Sequence, residues 1–352
     1  MLARSLLLLL AVLGLNGGQR QYRQAVPGYR FQFPKDHFDH PDFRTEWWYY
    51  TGNLRAADGH RYGFELVFFR QGVRGPQDNP SAWRVDDLYL AHLALTDIDA
   101  RRFRYFKRLN RAGPGIAGVS FDDGRIWNGN WESKWDKASG AQVLSATAEG
   151  IRFSLRLTPL KPAVVQGEDG ISQKAAAVGR ASYYVSFPRL GVTGALNGMA
   201  VAGAAWMDHE WFTSQLDSGQ VGWDWLSAQF DDNTEIMLFE LRHADGSVDP
   251  YSAGTFVDRD GRSHHLKRAD FEMQPVEFWT SRKSGARYPI KWRIRIPALK
   301  LALDCDAAIP NQELASEDAG PSYWEGAVRY SGSVWGAGYL EMTGYDKPVH
   351  FE

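Results

Sequence analysis

Twice along this chain of 352 residues an aromatic-led strand runs into a tight turn and then into an apolar strand ending in arginine. The first instance is Trp48-Tyr49-Tyr50-Thr51-Gly52-Asn53-Leu54, then Asp58-Gly59, then Phe64-Glu65-Leu66-Val67-Phe68-Phe69-Arg70. The second is Trp223-Asp224-Trp225-Leu226-Ser227-Ala228-Gln229-Phe230, then Asp232-Asn233, then Ile236-Met237-Leu238-Phe239-Glu240-Leu241-Arg242. The order persists beyond them. Leu95-Thr96-Asp97-Ile98-Asp99 and Phe256-Val257-Asp258-Arg259-Asp260 each precede a basic strand, and an acidic Gly-containing loop later leads to Tyr183-Tyr184 and to Tyr323-Trp324. One strand-turn-strand match is common in β proteins, whereas three in the same order indicate two copies of one β unit. Each copy holds roughly 150 residues, enough to close an antiparallel barrel around its own core.

Short runs rich in β-branched and aromatic residues carry the rest of the pattern, at 62–69, 88–95, 151–157, 183–187, 235–241, 292–296 and 338–342. Turn pairs such as Asp123-Gly124, Asp245-Gly246 and Asp260-Gly261 separate them. No long amphipathic helix is visible. The expected fold is all-β, two tandem lipocalin-like antiparallel β-barrels, over 21–200 and 201–352, with the seam in the Gly- and Ala-rich stretch 190–205. Residues 1–20 read as an export signal, because Arg4 precedes a run from Leu6 with nothing polar before Asn16. That run is shorter than the 20 or so residues a membrane span needs. The expected location is therefore periplasmic or secreted, with membrane association as the alternative.

The formal net charge of −2 supplies no field to gather nucleic acid or anionic lipid. Cys305 is the single cysteine, which excludes an internal disulfide and reads as a buried core thiol. The 14 Trp, 15 Tyr and 19 Phe exceed what a β core ordinarily requires and favour an aromatic-lined cavity for a hydrophobic small-molecule ligand.

Five segments stand in a telling order: Glu46-Trp47-Trp48-Tyr49-Tyr50-Thr51-Gly52, Ala91-His92-Leu93-Ala94-Leu95-Thr96-Asp97, Trp206-Met207-Asp208-His209-Glu210-Trp211, Gly222-Trp223-Asp224-Trp225, and Gly338-Tyr339-Leu340-Glu341-Met342-Thr343-Gly344-Tyr345. This series resembles the AttH-like family, which includes carotenoid 1,2-hydratase (hydroxyneurosporene synthase) and many proteins described only as secreted hydrolases. The resemblance covers nearly the whole chain after the leader. It implies two lipocalin-like barrels and, for the hydratases, cofactor-free addition of water to a terminal carbon–carbon double bond. Such a step needs a strong, well-placed acid, aromatic faces for the carbocation and a dry cavity.

On that reading Asp224 is the expected proton donor, since the apolar rings of Trp223 and Trp225 beside it disfavour its charged form. His209 would hold Asp224 or activate the water. Alternation along a strand turns Trp223 and Trp225 away from the face of Asp224, so Trp211 or Trp48 would stack on the substrate. Glu46, Trp47, Trp48, His92, Asp208, Glu210, Trp223 and Trp225 are the expected ligand-binding residues. Structural readings stand beside these. Asp208-His209-Glu210 could satisfy buried backbone groups, Asp224 could pair with Arg70 or Arg242, and Glu46-Trp47-Trp48 could pack a barrel entrance. His92 is either lumen-facing or an ordinary buried histidine. Gly336, Gly338 and Gly344 suggest a bend or bulge in a closing strand.

The sequence has no Gly-x-Ser-x-Gly elbow, no His-Glu-x-x-His and no glycine-rich nucleotide fingerprint, so no metal or cofactor is expected. Two functions of different class follow: an acid-catalysed hydratase acting on a polyene or terpenoid, or a lipid carrier of the cell envelope, for which an envelope transporter is a candidate partner.

Overall fold

A computed structural model describes residues 21–73, 80–81, 84–316 and 322–349. The expected leader over 1–20 and most of the acidic loop before Tyr323 lie outside them. The described residues are 59% strand and 3% helical, with two antiparallel sheets forming one near-closed barrel and one half-barrel. Among the described residues the only helices are three 3-10 turns, Lys35–His37, Arg268–Asp270 and Pro297–Leu299.

Strand order shows the duplication directly. In the first sheet the hairpin-linked strands Thr45–Ala56, Arg61–Gly72, Asp87–Asp97 and Arg102–Arg111 run outward, and the half's last strand, Met199–Phe212, returns to pair with the first. The second sheet repeats this with Gln220–Phe230, Glu235–His243, Ala253–Val257 and Ser263–Lys267, closed by Gly336–Met342. Beyond the returning strand, Ala181–Leu196 and Tyr323–Gly332 occupy matching places. The first half adds two short strands, Ala117–Ser120 and Arg125–Asn128, at its far edge.

Because Met199–Phe212 pairs with Thr45–Ala56 along its whole length, the change between halves falls between Phe212 and Gln220. This corrects the expected boundary at 200. The Gly/Ala run there is not a linker; small side chains let neighbouring strands approach in mid-sheet.

Alternation decides what each strand buries. Trp48, Tyr50, Phe64, Leu66 and Phe68 turn inward and fill the first half with Leu144 and Leu155. Leu226, Leu238, Trp292, Ile294 and Leu340 do the same for the second. Truncating one such aromatic would cost about 3–5 kcal/mol. Both interiors are thus packed with side chains. Cys305 is a buried free thiol in the second core.

A third apolar layer, with Tyr49, Val67, Tyr184, Trp225 and Phe239, lies where the outer faces of the two sheets meet. Gly336 and Gly338 are not at a bend: their strand keeps an unbroken register on both sides. Gly338 is needed for close approach, since a Cβ there would lie 1.8 Å from the Ser227 carbonyl oxygen. Gly344, at φ +74°, does turn the chain.

Candidate functional site between the two halves

The layer between the sheets encloses a cavity of about 330 Å³. Its aromatic walls come from matching strands of the two halves: Trp47 and Tyr49 from Thr45–Ala56, Trp223 and Trp225 from Gln220–Phe230. Val67, Phe69, Phe239 and Leu241 extend the apolar lining. Five carboxyl groups share this wall: Glu65, Asp208, Glu210, Glu325 and Glu341.

Burial dominates their titration, because removing a carboxylate from water favours its neutral form. It pushes Glu65 and Glu341 up to about 8 and Asp208 to about 7, raises Glu210, and carries Glu325 well above the usual carboxylate range. The charge of Glu341 reinforces the shift at Glu65, and those of Glu65 and Glu341 reinforce it at Glu325.

Hydrogen bonds distinguish the five. Asp208 accepts from the Tyr184 hydroxyl at 2.7 Å, the Trp206 indole at 2.7 Å and the Ser186 hydroxyl, a donor set suited to a carboxylate. Glu210 accepts from Ser182 and from Gln215 Nε2, the latter at 2.7 Å. Glu65 has one partner, the Tyr323 hydroxyl at 3.1 Å from Oε1, and that hydroxyl lies 2.6 Å from His92 Nδ1. Glu325 Oε1 accepts from the Tyr49 hydroxyl at 2.7 Å. Glu65 Oε2 and Glu325 Oε2 are buried with no hydrogen-bond partner. Each of these two acids is therefore tied by one oxygen and open at the other. His92 is driven down to about 3, chiefly by burial, so its ring is neutral at physiological pH.

Trp47, His92, Asp208, Glu210, Trp223 and Trp225 thus come together on the cavity wall. The remaining expected residues do not. Glu46, Trp48, His209 and Trp211 sit on the opposite faces of the same strands and form a buried node inside the first half. Glu46 Oε1 lies 2.8 Å from His209 Nε2 and 2.7 Å from His40 Nδ1, while Oε2 accepts from Arg70 Nε at 3.1 Å. Burial opposes charge on Glu46, but His40 and Arg70 outweigh it and hold its carboxyl far below the usual range. Trp211 stacks on His40 at 3.8 Å and Trp48 on His209 at 4.8 Å, so neither indole is free for a substrate.

Asp224 faces the interior of the second half, 2.9 Å from Arg242 Nε, away from the cavity and from His209. The arginine pairing weighed for it is the arrangement observed. The physical reason is the two-residue period: a strand that presents Trp223 and Trp225 to the cavity must turn Asp224 from it.

Among the described residues, His40, Glu46 and His209 alone bring three ligand-type atoms within 4.8 Å of one another. They do not suit a metal. The shared Glu46 oxygen is already hydrogen-bonded to both rings, and Arg70 would place a second cation against the ion.

Sequence reasoning passed over Glu65, Glu325, Glu341, Tyr323 and Lys174 as site residues. For the glutamates a signal existed: Phe64-Glu65-Leu66, Trp324-Glu325-Gly326 and Leu340-Glu341-Met342 each set an acid in mid-strand between residues without charge.

The model of the AttH-like family matches residues 24–345. A crystal structure of a candidate AttH from Nitrosomonas europaea is similar over 92% of this chain and 100% of its own, at 34% identity and a TM-score of 0.84. Kievitone hydratase from Nectria haematococca is similar over 94% of this chain and 98% of its own, at 15% identity and a TM-score of 0.67. CghA, solved with Sch210972, is similar over 93% and 97%, at 14% identity and a TM-score of 0.53. The last two likenesses concern the lipocalin-like fold. No curated protein matches the chain. With a family match spanning both halves and a structural relative of this identity, the chain belongs to the AttH-like family.

Proposed function

We propose that the chain binds a hydrophobic ligand in the cavity between its halves and, without a cofactor, adds water to a carbon–carbon double bond of that ligand, with Glu65 as the acid. The observation that carries this reading is a buried carboxyl with one oxygen unpartnered, set in an aromatic cavity whose burial favours its neutral form. Apolar sites elsewhere keep a catalytic carboxylic acid neutral at pH 7 in the same way. Glu65 gives its proton to one alkene carbon and leaves a carbocation at the other. Water attacks that carbon and returns a proton to Glu65, so the enzyme is restored within one cycle. Trp47, Trp223 and Trp225 offer negative ring faces to the cation. Tyr323 and His92 position Glu65, and Glu325 fixes Tyr49 across the cavity. Asp224, His209 and Trp211 act at a distance, by holding the strands that carry these groups. The hydratase among the fold relatives agrees with this chemistry.

The leader-like segment favours a second reading, a lipid carrier of the cell envelope working with a transporter in the periplasm or outside the cell. The two are separated by incubating the purified protein with an acyclic carotenoid or related polyene in oxygen-18 water. Labelled tertiary alcohol that is lost in Glu65→Gln supports the hydratase. Retention of the polyene with no labelled product supports the carrier. Undiminished turnover by Glu65→Gln refutes the role given to Glu65.

A further inference from the structure

Lys174 is a buried amine on the same cavity wall that hydration does not use. It lies just after the short strand Ser172–Gln173, which pairs with Ala181–Leu196. Its surroundings are poor in acceptors. Nζ has one hydrogen bond, to Ser172 Oγ at 2.9 Å, and Glu210 Oε1 is 3.6 Å away. That Glu210 oxygen already accepts from Ser182 and Gln215. The Phe239 ring lies 3.8 Å from Nζ and the Tyr184 ring 5.4 Å.

A second buried lysine shows what a satisfied ammonium looks like in this protein. Lys161 Nζ meets Glu235 Oε2 at 2.7 Å, the Asn233 carbonyl at 2.6 Å and the Asp258 carbonyl at 2.7 Å, one acceptor for each proton. Lys174 has no such set. It does have an acid beside it and an apolar space before it, the conditions under which a lysine amine becomes a nucleophile toward carbonyl compounds.

We propose that Lys174 captures hydrophobic aldehydes or ketones as a protonated imine, with Glu210 as its proton-transfer partner and counter-ion. The ammonium first passes a proton to Glu210. The free Nζ lone pair then attacks the carbonyl carbon, the C=O π bond breaks, and proton transfer gives a carbinolamine. Glu210 returns its proton to the hydroxyl, which leaves as water while the C=N bond forms. The product is an iminium on Lys174 paired with the Glu210 carboxylate, and nothing is oxidised or reduced. Burial lowers the affinity of Lys174 for its proton and raises that of Glu210, in keeping with the first transfer. This reading rests on the cavity admitting a hydrophobic ligand, but not on Glu65 or on any alkene.

The test uses the full chain with decanal and cyanoborohydride, which reduces an imine to a stable secondary amine, followed by peptide mapping. Tryptophan fluorescence is followed in parallel with decanal and with decanol. Decyl adduct should form on Lys174 about tenfold or more ahead of exposed lysines such as Lys300, because the cavity concentrates the aldehyde. Lys174→Met should lose that adduct, and Glu210→Gln should slow it about tenfold. Quenching by both probes with adducts only on exposed lysines overturns the proposal and leaves the cavity reading standing. Quenching by neither probe overturns both. Peptide mapping of the unaltered chain decides the matter even if Lys174→Met fails to fold.

Discussion

Glu46 and Asp224 play the same part in the two halves. Each is an inward-facing carboxylate on the first strand of its sheet, held by the arginine that ends the next strand: Arg70 Nε at 3.1 Å and Arg242 Nε at 2.9 Å. Asp224 sits one inward position further along, opposite Glu240 instead of the arginine itself. The pairs brace the ends of two sheets whose outer faces make the cavity. An acid in either pair serves the framework, and Glu65, the acid proposed as proton donor, lies on the other face of the strand that carries Arg70.

Removing the acid takes from a largely buried arginine its partner within the pair, at a cost of up to about 3–5 kcal/mol. Glu46→Ala leaves Arg70 its Asp87 partner at 3.0 Å but also takes Glu46 from His40 and His209, and should fall at the upper end of that range. Asp224→Ala should fall at the lower end, because Arg242 keeps its contact with the Tyr345 ring at 3.9 Å. Chemical denaturation midpoints check the order. An Asp224→Ala protein as stable as the wild type would remove the bracing role.

Turnover should depend on pH through Glu65. Its proton is available below about 8 and is lost above, so the rate should hold steady at neutral pH and fall as pH rises through that value. Tyr323 favours the charged form of Glu65 by donating to it, so Tyr323→Phe should move the fall to higher pH. A pH-rate profile of both proteins tests the sign. A shift to lower pH, or none, would detach Tyr323 from the acid.

Stability should respond to the same groups. Glu65 and Glu341 bind protons more tightly when folded, with values near 8 against 4.5 unshifted. Their contribution is complete below about 4.5 and declines as pH rises to about 8, by up to about 1.4 kcal/mol per pH unit for each group. Glu341→Gln should therefore gain on the wild type across that interval and run parallel to it above. Urea unfolding at several pH values measures the difference. Equal slopes for the two proteins would mean that Glu341 is charged in the folded state.

Ligand binding should be most sensitive to the indoles that both halves contribute. Trp225 donates to the Tyr184 hydroxyl at 3.0 Å and meets Tyr49 edge-on at 5.3 Å. Trp225→Ala should weaken binding of a hydrophobic probe by about 2 kcal/mol, or roughly thirtyfold, as truncation of a buried aromatic anchor does. Fluorescence titration with a polyene reports it. Affinity within a factor of two or so of the wild type would shift the binding site away from this wall.

Strand positions, the duplication and the pairing of an aromatic-led strand with its arginine-ended partner were legible in the sequence, because a two-residue period and turn pairs record them directly. The direction in which each strand faces was legible only in part. Alternation shows that Asp224 and Trp223 part company, but not which of the two meets the other half. That depends on how the halves dock, a relation between residues some 170–280 positions apart, such as Tyr49 with Glu325. The preference for Asp224 came from its flanking tryptophans, which sequence alone cannot assign to the interior of a half or to the space between the halves. The boundary was misjudged for a related reason: small residues at 190–205 resemble a linker until the returning strand Met199–Phe212 is seen pairing within the first sheet.

The bond from Tyr49 to Glu325 and that from Tyr323 to Glu65 run in opposite directions, each half lending a phenol to an acid of the other. Neither copy, separated from its sister, would keep both of these carboxyl groups tied. The pocket is thus a property of the seam, and whatever loosens the grip of one half on the other should dismantle it well before either half unfolds.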